Sequence, residues 1–284
     1  MAPNEVNWYF GRIHFKHQLS SLDQYTGDDL PSREELVKKL LWEYISQDGV
    51  IYDESDKIKW YFGDTRDLGS WLLGKFGKQY PENPTDYDEE VGDFIEYDEE
   101  DTQASYSMFL VYPEKNYIIY SQRKRVGFQQ FREAFIRGYN DFTGIDDSMS
   151  LNLMQNETDV QQIIENAKVN EAEFEIVPTN PTTDPNMEKL DAHVQDMNAS
   201  ELRIEADGAG SLNMDQDLIA GGLAMSNNGY GEYKIAYEEN GKQNILISED
   251  RPAVKRMEQP DNLSALEQHA EELIEYADNL TSPD

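Results

Sequence analysis

Residues 105–124 read SYSMFLVYPEKNYIIYSQRK, and residues 125–140 continue RVGFQQFREAFIRGYN. In the first stretch two runs of aromatic and branched residues flank PEKN. Its proline and asparagine supply a turn, so the pattern predicts a β-hairpin. In the second, Phe128, Phe131, Phe135, Ile136 and Tyr139 recur at helical spacing and share one face of a helix over about 127–140. Hairpins of this kind, mixed with βα units further on, point to an α+β fold: mixed or antiparallel sheets with packed helices.

Toward the N-terminus, VNWYFGRIHFK at 6–16 reads as a strand. A helix at 32–46 opens on the capping-box pair Ser32 and Glu35 and repeats Leu36, Leu40, Leu41 and Tyr44 at helical spacing. GVIYDESDKIKWYFGD reads as a hairpin turning near Ser55 and Asp56, and a short glycine-interrupted helix is expected over 67–77. The acidic run 81–103 carries two prolines and is expected to be a linker or insertion, with a nucleic-acid mimic or regulatory lid as its functional reading. It divides an N-terminal α+β lobe, 1–80, from a C-terminal one, 104–284.

Beyond the central helix the chain alternates. LNLMQ, EAEFEIVP and ELRIEA read as strands, and TDVQQIIENAK, DPNMEKLDAHVQDM and NMDQDLIAGGLAMS as helices. In the second of these helices Asp184 is the expected cap and Pro185 the first helical residue. EYKIAYEENGKQNILISE is a hairpin turning at Asn240-Gly241. An amphipathic helix at 262–280 presents Leu266, Leu273, Ile274 and Ala277 on its apolar face.

The 284 residues hold 57 aspartates and glutamates against 24 lysines and arginines, a formal net charge of −33. A disordered acidic chain is poor in aromatics. This one has 17 tyrosines, 11 phenylalanines and 4 tryptophans, so the acids belong to the surface of a folded core. Self-repulsion would destabilise such a surface in dilute buffer, whereas molar salt shortens the Debye length to about 3 Å and screens it. The expectation is a protein of a salt-rich, haloarchaeal-type cytoplasm. There is no cysteine, and hence no disulfide or thiolate chemistry. MAPNEVNWYF lacks the pattern of a secretory signal, no stretch has the roughly 18 apolar residues of a membrane span, and a cytoplasmic location without membrane contact is expected.

Against that acidity, SQRKRVGFQQFREAFIR at 121–137 holds Arg123, Lys124, Arg125, Arg132 and Arg137 with the single acid Glu133. Basic heads around a strand end and a helix start suit phosphate oxygens. Pairing with the protein's own acids is the alternative. A second cluster, RPAVKR, holds Arg251, Lys255 and Arg256, and the two clusters would form one groove if the fold made them neighbours. Molar salt weakens counterion release, so short bidentate arginine contacts would matter more than a broad positive field.

Catalytic signatures are sparse. Glu232-Tyr233-Lys234 is a D/E-x-K triplet of the kind in which a carboxylate holds magnesium beside a water-orienting lysine. His14 and His17 would point to opposite faces of a strand, and His193 and His269 sit on helices. DGAGS at 207–211 lacks the spacing and the lysine of a phosphate-binding loop. No cofactor or metal is expected.

From about 105 to 255 the order of elements resembles that of the lambda-type Rex exclusion proteins and related DNA-binding phage-defence proteins. MFLVYPEKNYIIYS leads into an amphipathic helix, LNLMQ and EFEIV follow with a helix between them, and LRIEA precedes a helix, an NNGY turn and the hairpin YKIAYEENGKQNILIS. The resemblance implies a non-enzymatic, dimeric, DNA-associated protein acting in defence against phage or mobile elements. It carries over no functional residue. Three expectations follow: a nucleic-acid-associated sensor or regulator using the two basic clusters, an adaptor subunit docking a partner protein or a second copy, and a metal-dependent nuclease using Glu232 and Lys234.

Overall fold

Alternation along the first strand, β1 (Glu5–Phe15), sets the layers of the molecule. Successive side chains leave a strand on opposite faces. Trp8 and Phe10 accordingly enter one buried cluster, while Tyr9, Ile13 and Phe15 enter another. A computed structural model describes residues 5–15, 33–82, 85–88, 93–96, 101–178, 185–197, 199–208 and 211–281. The architecture is α+β with antiparallel sheets. The Ser32 end of the expected capping box, Asp184, His17, much of the acidic run and part of the DGAGS tract lie outside the described residues.

After β1 come α1 (Arg33–Ile45) and the hairpin of β2 (Tyr52–Ser55) and β3 (Ile58–Asp67). Next are β4 (Leu72–Glu82), the small pair β5 (Thr85–Asp88) and β6 (Asp93–Glu96), then β7 (Asp101–Tyr112) and β8 (Tyr117–Ser121). The PEKN turn is a short 3-10 segment closed by Asn116 at φ 56°. The helix α2 (Phe128–Thr143) and β9 (Met149–Leu153) follow, and β14 (Val254–Glu258) and α6 (Leu263–Thr281) close the chain. Apart from β5 and β6, which pair with each other, these strands make an eight-stranded sheet in the order β14-β1-β8-β7-β4-β3-β2, with β9 also paired to β1.

The sheet has a helical layer on each face. Leu41, Tyr44, Phe131, Phe135 and Tyr139 from α1 and α2 bury against Trp60, Phe76, Phe109 and Tyr120. Leu266, Ala270, Leu273 and Ala277 from α6 bury against Trp8, Phe10, Met108 and Ile119. The ring of Phe131 stacks on Tyr120 at 4.1 Å, so the hairpin and the helix quoted at the outset hold one another.

Two expectations are corrected here. Residues 67–77 do not form a helix: Leu72, Leu73 and Phe76 lie in β4, with Gly77 opposite Tyr61 on β3 and Tyr106 on β7. A Cβ on Gly77 would come within 2.3 Å of the Ser105 carbonyl, so this glycine serves close strand approach. Nor does 81–103 separate two lobes. The strands on its two sides, β4 and β7, pair from Leu72↔Val111 to Glu82↔Asp101, so the acidic run is an excursion between neighbouring strands of one sheet.

A second hydrophobic grouping lies elsewhere, in α3 (Glu157–Asn166), β10 (Lys168–Ile176), α4 (Pro185–Asp196), β11 (Leu202–Asp207), α5 (Asp217–Asn227), β12 (Gly231–Glu239) and β13 (Lys242–Ile247). The sheet order is β11-β10-β12-β13, and α3, α4 and α5 bury Val160, Leu190, Val194, Ile219 and Met225 against its Phe174, Ile204, Ile235 and Leu246. Asn240 and Gly241, at φ 51° and 74°, make the expected tight turn between β12 and β13.

The two groupings meet at the turn Asn228–Tyr230, and Arg12 of β1 secures it. Its Nε donates to the Asn228 carbonyl at 2.7 Å and its Nη1 to the Lys115 carbonyl at 2.8 Å. The guanidinium lies over both the Tyr117 ring, at 4.6 Å, and the Tyr230 ring, at 4.3 Å. His14 Nε2 bonds the Gly229 carbonyl at 2.8 Å. Among the described residues no helix is long and apolar enough to cross a membrane.

Candidate nucleic-acid interface

The basic segment is held as a tight loop. The backbone groups of Arg123 and Val126 exchange hydrogen bonds of 3.1 and 3.0 Å, and the Gln122 amide donates to the Asn7 carbonyl at 2.8 Å. Val126 is buried and Tyr9 Oη donates to Gln122 Oε1 at 2.7 Å, so the loop leaves the sheet at a fixed angle before α2 begins. Lys124 and Arg125 are exposed at its tip and Arg123 is half-buried.

Two of its cations lie over tyrosine rings. The Arg123 guanidinium is 4.5 Å from the Tyr106 ring centre and that of Arg125 is 5.4 Å from Tyr80. With its amide oxygen turned toward Arg123, Gln259 accepts from Nη2 at 2.5 Å and Nη1 at 3.2 Å. This contact joins the two basic clusters, because Gln259 follows β14 and β14 pairs with β1. They do not make a single groove. Lys255 points to the α6 side, where it meets Glu272 at 2.8 Å, and alternation sends the exposed Arg256 to the other face. Arg251 is exposed, close to the second sheet.

Arg132 leaves the expected interface. Its Nε donates to the Leu151 carbonyl at 2.6 Å, and its two amino groups donate to Glu249 and Glu232. Burial pulls its pKa down, but the Glu232 and Glu249 carboxylates outweigh that and hold it above the ordinary value. Arg132 stands on the flank of the face that carries the phenylalanines, one turn after Phe128, and from there reaches Glu232 and Glu249, so it bridges the two groupings. Arg137, more than one turn nearer the C-terminal end of α2, donates to Tyr52 Oη at 2.8 Å and is exposed there, far along the helix from the loop.

The loop borders two clefts at the outer end of β3, β4 and β7. On the α6 side, a cleft of about 390 Å³ is lined by Tyr61, Gly63, Lys75, Gly77, Gln79 and Tyr106 among others, with no carboxylate in its lining. Tyr61, Gly77 and Tyr106 are direct neighbours across three strands. Strands lie about 4.8 Å apart, so two aromatic side chains stand roughly 9.6 Å apart over a position with no side chain. Lys75 Nζ is 5.3 Å from the Tyr106 ring centre. On the opposite face, a cleft of about 610 Å³ is lined by Lys57, Lys78, Tyr80, Pro81 and Arg125, with Asp56 as its acid.

Neither Tyr61, Lys75 and Tyr106 nor Lys57 and Lys78 stood out in the sequence. The signal in the sequence is the repeated Gly-Lys of GKFGK at 74–78, which on a strand sends Lys75 and Lys78 to opposite faces, and the expectation of a helix there obscures it.

The other candidates fall into structural roles. Glu232 of the EYK triplet is engaged by Arg132, and no three His, Asp or Glu side chains converge as a metal site among the described residues. His14 is buried against the Gly229 turn, and His269 lies 3.5 Å from Glu272 on its own helix.

No curated protein matches this chain. A family described as Domain of unknown function (DUF4747) matches residues 50–278, which takes in every element from β2 to all but the last turn of α6. The chain belongs to the DUF4747 family.

Proposed function

We propose that the protein binds single-stranded nucleic acid at the outer end of the large sheet, as a non-catalytic sensor or regulator in a salt-rich cytoplasm. The observation that carries this reading is the cleft between Tyr61 and Tyr106. In a chain of formal charge −33 its lining has lysine and no carboxylate, and the Arg123–Arg125 loop stands at its border. Single strands are held by bases against aromatic rings and by cations along the backbone. The slot above Gly77 has the width for one planar ring between two tyrosines, and Arg123, Lys124 and Arg125 supply the cations, with Lys75, which also meets Asp64 at 3.5 Å, beside the slot.

High salt favours this mode. Counterion release is weak in molar potassium chloride, whereas stacking, worth about 1–3 kcal/mol per base, survives. The resemblance of its element order to that of Rex-like proteins, read from the sequence, would place such binding in defence against phage or mobile elements.

The test is fluorescence anisotropy with labelled single-stranded DNA and RNA in molar potassium chloride. Tyr61→Ala and the double change Arg123→Glu with Arg125→Glu should each weaken binding about tenfold or more, the range set by one lost stacking contact. Arg132→Met should not weaken it while the protein stays folded. Absence of binding to either polymer, or affinity indifferent to both groove variants, removes the reading.

A further inference from the structure

Three rows of residues across β3, β4 and β7 surround the slot above Gly77. The register sets Tyr61, Gly77 and Tyr106 in the middle row. Toward the outer end the next row on the same face is Lys59, Gln79 and Ala104, and on the other side it is Gly63, Lys75 and Met108. Residues two apart on a strand share a face and stand about 6.8 Å from one another. A planar ring stacked between Tyr61 and Tyr106 therefore lies with its plane along β4, one edge toward Gln79 and the other toward Lys75. Both neighbours offer hydrogen to it. An ammonium has donors only. Gln79 Oε1 accepts from Tyr61 Oη at 3.3 Å, which turns the amide oxygen to the tyrosine and leaves the amide nitrogen to donate. Gln79 is exposed, and its neighbour on β7, Ala104, is too short to cover that amide. The three rows hold no carboxylate, and Asp64, beyond Gly63, is engaged by Arg66 at 3.2 Å and Lys75 at 3.5 Å.

We infer that Gln79 makes the slot selective for bases that carry a carbonyl on the edge they present, uracil, thymine and guanine, over cytosine and adenine. The inference rests on the proposed binding of single strands at this slot. Uracil and thymine offer O4 and guanine offers O6 as an acceptor, whereas cytosine and adenine carry the amino groups N4 and N6 at the same place. Against Gln79 Nε2 a carbonyl completes a hydrogen bond, while an amino group sets donor against donor. Stacking tolerates every base, because each has a π-face. Discrimination between bases therefore falls to the groups at the ring edge. Lys75 cannot reverse the preference, since it has no acceptor to offer an amino group.

Two labelled single strands of equal length, oligodeoxyuridine and oligodeoxycytidine, provide the test by fluorescence anisotropy in molar potassium chloride at neutral pH. They differ only on the pairing edge of the base, and neither self-associates as guanine runs do in potassium. The wild-type protein should bind the uridine strand about fivefold more tightly or better, the scale of one hydrogen bond made instead of opposed. Gln79→Ala should bring the two strands within about twofold of each other, because stacking alone remains. Gln79→Glu puts an acceptor in place of the amide nitrogen and should turn the preference toward cytidine, whose N4 donates to a carboxylate. The exposed position makes both variants harmless to folding, as circular dichroism would verify. Equal affinity of the wild type for the two strands, a preference for cytidine, or a uridine preference that survives Gln79→Glu would overturn the inference and leave single-strand binding standing. Binding of neither strand would remove the proposed function, and the inference would fall with it.

Discussion

Arginine does two different jobs at two places in this acidic molecule. At the seam between the sheets, Arg12 and Arg132 spend their donors on the protein itself: carbonyls of Asn228, Lys115 and Leu151, and the carboxylates of Glu232 and Glu249. At the outer end of the large sheet, Arg123 and Arg125 lie over the rings of Tyr106 and Tyr80. Ring contact is common to both places, since Arg12 also lies over Tyr117 and Tyr230. What separates them is burial, Arg12 being enclosed at the seam and Arg125 exposed at the loop. What decides is whether the side chain leaves its element toward a neighbouring sheet or toward an aromatic strand end.

The largest expected difference between the two regions is in stability. Arg12→Ala should cost about 3–5 kcal/mol, because it leaves two inward carbonyls without a donor and removes the stem between two tyrosine rings. Arg125→Ala, at an exposed loop, should stay within about 0.5 kcal/mol. Chemical denaturation in molar potassium chloride measures both. Equal losses would mean that the seam and the loop do not differ in the way the contacts indicate. Arg12→Lys should recover only part of the loss, since an ammonium cannot span the same carbonyls with a planar fork.

Arg132→Met comes next, at about 2 kcal/mol. The loss is smaller than at Arg12 because Glu232 and Glu249 are partly exposed, at 40% and 38% of their side-chain surface, and water can hydrate them once the arginine is gone. The loss should shrink further in the double change Arg132→Met with Glu249→Gln. A double-mutant cycle that shows no coupling would remove Arg132 from the seam and return it to the candidate interface.

Much of the fold was legible because local chemistry and tertiary structure agree. The hairpin around PEKN, the helix carrying Phe131 and Phe135, and the Asn240-Gly241 turn each follow from side chains that act within a few residues. The misreadings have one origin. Gly74 and Gly77 look like interruptions of a helix, yet their role is set by Phe109, Ser105 and Tyr106, about thirty residues away on a neighbouring strand. The same holds for β14, read as a basic tract although its place is against β1, some 250 residues earlier in the chain. At the site, composition marked the basic segment, but not which of its cations the second sheet engages. Arg123 and Arg132 are equally basic letters, and only the nearness of Glu232 and Glu249, about a hundred residues on in the chain, engages one of them.

The smallest effect separates a cation at the edge of the large sheet from those at the seam. Lys255 meets Glu272 on α6 at 2.8 Å, and the hydrogen bond from Lys255 is the main cause that holds the Glu272 pKa below its ordinary 4.5. A carboxyl whose folded-state pKa is depressed contributes its stability above the unfolded value and loses it as pH falls through the folded one. Wild type should therefore exceed Lys255→Met in stability by a margin that is constant above about pH 5 and declines toward zero in more acid solution. Both side chains reach solvent, Glu272 at 52% exposure, so the margin should be a few tenths of a kcal/mol and smaller still in molar salt. Denaturation midpoints of the two proteins across pH 3 to 6 give the curve. A margin that grew as pH fell would mean that the lysine acts on some group other than Glu272, such as the Tyr276 ring that its ammonium also faces at 5.1 Å.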